Sequence, residues 1–205
     1  VLLEDAGAPP EEPPFFAMRL LPGECIEPSL AAPADRPAAS VTRRRFVSAA
    51  RALARVHDLD PLEMGLADDA VTTLTDEVAR WTRAFETVPV DLQGRYLDAE
   101  RALLRSMPAP LPPVVNHGDY RLGNTLCDDD GVIAIIDWEI WSVGDPRIDT
   151  TWLTFFTDDA AHPAADPAGP AGTPSRAEVL AAYEAEAGRS LPDMDWFDAL
   201  TKYKE

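Results

Sequence analysis

Residues 114–137 read V-V-N-H-G-D-Y-R-L-G-N-T-L-C-D-D-D-G-V-I-A-I-I-D. The apolar start, 114–116, predicts a short strand. Thr125–Cys127 and Val132–Asp137 flank Asp128-Asp129-Asp130-Gly131, a turn signal that predicts a β-hairpin. Between strand and hairpin lies a loop carrying His117, Asp119, Arg121 and Asn124. A hairpin returns its second strand beside the loop where it began, so Asn124 and Asp137 can reach one metal ion. Phosphoryl transfer from a nucleotide asks for this economy of parts: a carboxylate to meet the acceptor hydroxyl and hard oxygens to hold Mg²⁺ against the phosphates. Asp119 is the candidate base, and Asn124 and Asp137 are the candidate Mg²⁺ ligands.

Upstream, the chain reads as a helical scaffold. Residues 1–14 are rich in Pro and acid and predict a strand remnant followed by a loop. F-F-A-M-R-L-L at 15–21, closed by Pro22-Gly23, predicts a buried strand leaving a sheet. Ser40 or Thr42 can cap a helix to about His57, with Phe46, Val47, Ala50, Leu53 and Ala54 on one face. Its basic residues, Arg43, Arg44, Arg45, Arg51 and Arg55, read as a solvated face. A second helix is predicted from Thr75 with Val78, Trp81 and Phe85 inward. A third runs from about Asp91 to Met107, stopped by P-A-P-L-P-P at 108–113.

Downstream, Gly144-Asp145-Pro146 predicts a helix with Asp145 as its cap, running through Asp149 and Trp152. Residues 157–174 predict a mobile surface loop, with His162 on the surface. Ser175 caps a further helix that Gly188 stops. Asp193 or Asp195 opens a last one reaching Glu205.

The 205 residues carry a formal net charge of −18, which disfavours a nucleic-acid partner. No window has the apolar length of a membrane span, so no membrane partner is expected. The two cysteines, Cys25 and Cys127, lie far apart and read as reduced thiols, which points to the cytoplasm.

N-H-G-D-Y-R-L-G-N-T-L, I-D-W-E and G-D-P-R-I-D together resemble the phosphotransferase family that includes aminoglycoside and choline kinases, with the acyl-CoA-dehydrogenase-associated phosphotransferases most similar. F-F-A-M-R-L-L-P-G resembles that family's lobe-connecting hinge. The resemblance implies an α+β, protein-kinase-like fold. Residues 1–27 would be a small-lobe remnant and hinge, and 28–205 the helical large lobe, truncated at its C-terminal end, with the catalytic segment at 114–149. It implies Asp119 as base or hydroxyl-orienting group, His117 as a brace of the loop, and Arg121 as a neutraliser of phosphoryl charge. Asp149 would support the loop. Backbone groups near Met18, Arg19 and Leu20 would meet adenine. ATP and Mg²⁺ are the implied cofactors. The acceptor would be a small-molecule hydroxyl: a hydroxylated metabolite or acyl derivative, an amino alcohol, or an aminoglycoside.

Two features limit that expectation. A Gly-rich phosphate loop is missing, and the first lysine is Lys202, so the usual Lys–Glu pair is not found. The isolated chain is therefore expected to be inactive, and a non-catalytic binding or scaffold role is the alternative. A metal-dependent hydrolase built on His117, Asp119 and Asp137 fits poorly, since the chain has only three histidines.

Overall fold

A computed structural model describes residues 2–8, 11–66 and 71–204. The chain opens with two short strands, β1 (Leu3–Asp5) and β2 (Phe15–Ala17), paired antiparallel with Leu3 opposite Ala17. The strand expected to be buried is exposed: Phe15 and Phe16 keep 55% and 64% of their surface. The reason is that β2 pairs with β1 alone, and both of its faces are open.

Helix α1 (Ala39–Val56) starts after Ala38, with no side-chain cap from Ser40 or Thr42. Phe46, Ala49, Ala50, Leu53 and Ala54 recur at helical spacing and are all buried. With Tyr120, Leu122, Cys127 and Leu153 they form the first of two apolar clusters. Full burial of a side chain such as Phe46 is worth roughly 1.5–3 kcal/mol, so Phe46→Ala would remove a large share of what seats this helix. The arginine face is not wholly solvated. Arg45 is buried, donating from Nε to the Asp128 carbonyl (2.9 Å) and pairing with Glu24 (2.6 Å). It clamps the hairpin turn onto α1.

Strand β3 (Val71–Thr72) leads into α2 (Leu74–Glu86). Thr73, not Thr75, is the cap: its hydroxyl accepts from the Asp76 N–H, while Asp76 accepts from the Thr73 N–H in return. Helix α3 (Tyr96–Arg105) begins later than the expected Asp91, because Gly94 at positive φ stands in the approach. Helices α2 and α3 pack with the last helix, α6 (Met194–Lys204), to make the second cluster, which holds Leu74, Val78, Leu103, Phe197 and Leu200.

Strand β4 (Val114–Asn116) pairs antiparallel with β7 (Ser142–Gly144), which also pairs parallel with β3. The hairpin is present as β5 (Thr125–Cys127) and β6 (Val132–Ile135). Its turn is held by Asp128, whose Oδ1 accepts from the N–H groups of Asp130 and Gly131. β6 stops short of Asp137, because Asp137 adopts φ +67°, where a strand cannot continue.

Helix α4 (Arg147–Phe155) follows Pro146. The N-cap is Pro146 and not the expected Asp145, which stands one residue earlier and accepts the Arg147 N–H on Oδ1 at 3.0 Å. Asp145 also chelates the fully buried Arg147 guanidinium, which continues to the carbonyls of Ala109 and Pro192. One arginine thus ties α4 to the segments before β4 and before α6. The 157–174 segment is more ordered than expected. Asp158 accepts three backbone N–H groups, from Ala171, Gly172 and Thr173. His162 is buried against Phe155 and Phe156, contrary to its surface expectation. Helix α5 (Arg176–Ala187) is capped by Ser175 and stopped by Gly188 in the left-handed conformation, as expected. Helix α6 closes the described chain, and Glu205 lies outside the described residues.

Candidate active site

The loop between β4 and β5 is fixed from beneath. Asp149, fully buried on α4, accepts the N–H of His117 on Oδ2 and that of Gly118 on Oδ1. Gly118 is required here: its φ is +90°, and an added Cβ would lie 2.4 Å from the Ile140 carbonyl oxygen. His57, just after α1, sits behind Asp149. Its Nδ1 is 2.8 Å from the Tyr183 hydroxyl and its Nε2 3.6 Å from Asp149 Oδ2.

His117 is fully buried. Its Nδ1 accepts the Asp119 N–H, which leaves the proton on Nε2 to donate to the Ile136 carbonyl at 2.8 Å. The ring therefore joins the loop to the strand end that delivers Asp137.

Asp119 and Asn124 meet directly. Asn124 Nδ2 donates to Asp119 Oδ2 at 2.6 Å and to the Asp119 carbonyl at 2.9 Å. With its nitrogen committed, Asn124 presents the oxygen Oδ1 as the atom free to meet a cation. The Asn124 backbone carbonyl accepts the Ile136 N–H at 3.0 Å, extending the register in which Thr125 faces Ile135. Asp137 follows at once, exposed, with no hydrogen bond or ion pair to a described residue. Loop and hairpin thus bring the Asn124 and Asp137 segments side by side. Among the described residues no group of three or more His, Cys, Asp or Glu is placed to hold a metal ion.

The other Asp119 oxygen, Oδ1, is met by two groups that the linear motif does not display together. Arg121 Nε lies 3.3 Å away, and the Trp152 indole N–H donates across 2.5 Å. Nothing in the sequence singles out Trp152 beyond its place on a helix. Its position one turn after Asp149 puts it on the α4 face that also supports the loop. Its ring lies 5.2 Å from the Lys204 ammonium, which is equally distant from Trp81 and forms a buried ion pair with Glu77 at 3.0 Å. The Arg121 guanidinium sits 5.7 Å from the Phe156 ring centre.

Glu27 is a second residue that sequence reasoning misses, because a lone Glu in a Pro-rich stretch gives no signal. It is only 7% exposed, accepts the Gly123 N–H on Oε2 at 3.2 Å, and has Ser29 Oγ 3.4 Å from Oε1. Burial pushes its carboxyl up to about 7, against the lowering influence of the Gly123 amide and the nearby Arg121 charge.

Met18, Arg19 and Leu20 follow β2 as an exposed segment without regular secondary structure, and Leu20 is 93% exposed. Their side chains make no hydrogen bond or ion pair with a described residue. Just beyond them, Glu24 exchanges both backbone hydrogen bonds with Cys127 (2.9 Å each), which sews the segment to the hairpin. Both cysteines are free thiols, Cys25 exposed and Cys127 buried.

A kinase-like arrangement of loop, hairpin and supporting helix is the class of fold that this geometry defines. The model of the phosphotransferase enzyme family, APH, matches residues 1–200, and the chain belongs to that family. It is 28% identical over 152 residues to acyl-CoA dehydrogenase family member 10 of Mus musculus, covering 68% of this chain and 13% of that protein. Among solved structures it superposes on an aminoglycoside-3'-phosphotransferase of type VIII with a TM-score of 0.60 at 21% identity, covering 90% of this chain and 66% of the other. It also superposes on aminoglycoside phosphotransferase APH(3'')-Id from Streptomyces rimosus, in complex with ADP and streptomycin, with a TM-score of 0.53 at 20% identity, covering 84% and 67%. The chain thus has the α+β, protein-kinase-like fold expected from its sequence, and spans a small part of the curated relative it matches. No helix among the described residues is long and apolar enough to cross a membrane.

Proposed function

We propose that this chain carries the large-lobe half of a phosphoryl-transfer site, moving the γ-phosphoryl of ATP to a hydroxyl of a small molecule. The observation that carries the reading is the double use of Asn124. Its side-chain nitrogen holds Asp119, while its backbone carbonyl holds the strand end that delivers Asp137. That leaves Asn124 Oδ1 and the Asp137 carboxylate as two hard oxygens of the kind Mg²⁺ prefers, with waters and phosphates completing its shell. Bound there, Mg²⁺ would neutralise charge on the phosphates. Asp119 orients the acceptor hydroxyl and takes its proton. Arg121 stands beside it as a positive charge for the transferred group, and His117 keeps the loop in register. Backbone groups of Met18, Arg19 and Leu20 are the proposed adenine contacts.

The acceptor is proposed to be a hydroxylated metabolite or acyl derivative, an amino alcohol or an aminoglycoside. Residues 1–27 form the hinge side and 28–205 the helical lobe, working in the cytoplasm where nucleotide is supplied. Activity is proposed for the whole protein and not for these 205 residues alone, because they contain no lysine before Lys202 to pair with the phosphates.

The test is transfer of labelled γ-phosphoryl from Mg·ATP by the full-length protein, across a panel of these hydroxyl compounds. Asp119→Asn is expected to abolish transfer, and Asn124→Ala or Asp137→Ala to remove the Mg²⁺-dependent rise in Tm with nucleotide. Equal transfer by the parent and Asp119→Asn rejects the reading.

A further inference from the structure

Three helices meet at a buried ammonium beside the loop. Lys204, in the last turn of α6, places Nζ 3.0 Å from Glu77 Oε1 on α2, and the two side chains are only 4% and 6% exposed. The Trp81 indole N–H donates to the same Glu77 oxygen at 3.0 Å. The ammonium also lies 5.2 Å from the ring centres of Trp81 and of Trp152, the α4 residue whose indole N–H donates to Asp119. One cation therefore stands against the ring that holds the candidate base.

Packing does not call for this charge. Val78, Phe197 and Leu200 already join α2 to α6 in the second apolar cluster, and the Thr82 and Tyr203 hydroxyls meet at 2.8 Å. Taking an ion pair out of water opposes much of its own attraction, and apolar groups of like shape often serve stability as well or better. The indole gains something specific from a cation. Its ring face is the negative pole of a quadrupole, so the ammonium is drawn to it. In a water-poor site such a cation also polarises the ring and makes its N–H a stronger donor.

We propose that Lys204 is a positioning residue for Asp119, acting through Trp152: the ammonium holds the indole and strengthens its N–H as a donor to Asp119 Oδ1. The inference rests on the phosphotransferase reading above. Glu77 is the counter-ion that keeps Lys204 against the ring. Phe155 and Phe156 pack on the same indole, so loss of the charge should weaken the bond to Asp119 without unseating the ring.

The experiment uses the full-length protein. Transfer of labelled γ-phosphoryl from Mg·ATP, to the hydroxyl compounds named above or to water, is measured beside Tm and the nuclear magnetic resonance spectrum of the indole N–H groups. The Trp152 signal is identified by its loss in Trp152→Phe. Lys204→Met leaves Glu77 buried and unpaired, so its Tm should fall. Lys204→Met combined with Glu77→Gln removes both charges and should return Tm to the parent value or above it. That double variant should still lose roughly 5- to 30-fold in kcat, keep KM for Mg·ATP unchanged, and move the Trp152 indole proton upfield. Lys204→Arg, which keeps the charge, should recover most of both. In a Trp152→Phe background, removing the two charges should lower kcat no further. A double variant with parental kcat and an unmoved Trp152 signal, while Asp119→Asn is inactive, overturns the role of Lys204 and leaves the phosphotransferase reading standing. An equal loss in the Trp152→Phe background also overturns it, by showing that the pair acts elsewhere. Undiminished transfer in Asp119→Asn, or no transfer by the parent, overturns the phosphotransferase reading and this inference with it.

Discussion

Trp152 Nε1 donates a hydrogen bond to Asp119 Oδ1 across 2.5 Å, from a helix that follows the whole hairpin in sequence. With Asn124 on the opposite oxygen, the candidate base is held at both ends by donors of fixed geometry. A carboxylate so restrained needs little reorganisation when the acceptor arrives.

Trp152→Phe keeps an aromatic ring against Phe155 and Phe156 and deletes only the donor. A hydrogen bond to a charged group contributes about 1.5–3 kcal/mol. If it acts in the transition state, kcat falls roughly 10- to 100-fold with KM for Mg·ATP unchanged. Steady-state kinetics of the full-length variant checks this, and an unaltered kcat would show that the indole N–H only fills space.

Asp149→Ala leaves the N–H groups of His117 and Gly118 buried without an acceptor, and removes the carboxylate from beside His57. Loss of one partner from such a buried cluster costs about 3–5 kcal/mol. In a domain of this size that lowers Tm by roughly 10 °C. Calorimetry of parent and variant measures it, and a shift below about 2 °C would mean that water replaces the carboxylate.

Gly118→Ala must place a Cβ 2.4 Å from the Ile140 carbonyl oxygen at a φ of +90°. Strain of about 1–3 kcal/mol is expected, and the loop should move to relieve it, carrying Asp119 with it. The variant should fold with a lower midpoint in denaturant while losing most transfer activity. Full activity would show that the loop tolerates the displacement.

Glu27 sets a stability window in pH. Its folded-state pKa of about 7 lies above the ordinary 4.5 because burial penalises the charged form. The folded chain then holds this proton more tightly than the unfolded chain, so stability falls as pH rises between those values. Fully developed, a shift of that size amounts to about 3 kcal/mol. Glu27→Gln removes the penalty. Denaturation curves should nearly coincide at about pH 4 and favour the variant increasingly up to about pH 8. Parallel pH dependences for parent and variant would show that Glu27 ionises without cost.

The hairpin, the loop and the helix after Gly144-Asp145-Pro146 are legible in the sequence because each is specified by neighbours along the chain. Asp128 closes its own turn, Ser175 and Glu178 cap each other, and Asp145 accepts the N–H two residues on. The α1 stripe from Phe46 to Ala54 is legible for the same reason: one face of a helix repeats along the chain. Sequence expectation fails where a distant partner decides. Arg45 looks solvated until the hairpin turn covers it, and His162 until the phenyl rings of Phe155 and Phe156 do. The α2 cap is a local failure with a local cause. Thr73 displaces Thr75 because Asp76 stands three residues after it and returns the bond, whereas the residue three after Thr75 is Val78, which has no polar group to offer.

The sequence by itself determined the chemistry available in residues 114–137 and the hairpin that brings Asn124 beside the Asp137 segment. Both follow from turn residues and alternation over a few positions. Only the tertiary structure decided what surrounds Asp119. Trp152 comes to Asp119 from α4 and Glu27 to Gly123 from the stretch before α1, and no local pattern encodes either meeting. The first arises because α4 must bury Asp149 beneath the loop, and that packing turns Trp152 toward Asp119. The stretch before α1 is likewise pinned to the hairpin through Glu24 and Cys127, which leaves Glu27 under Gly123.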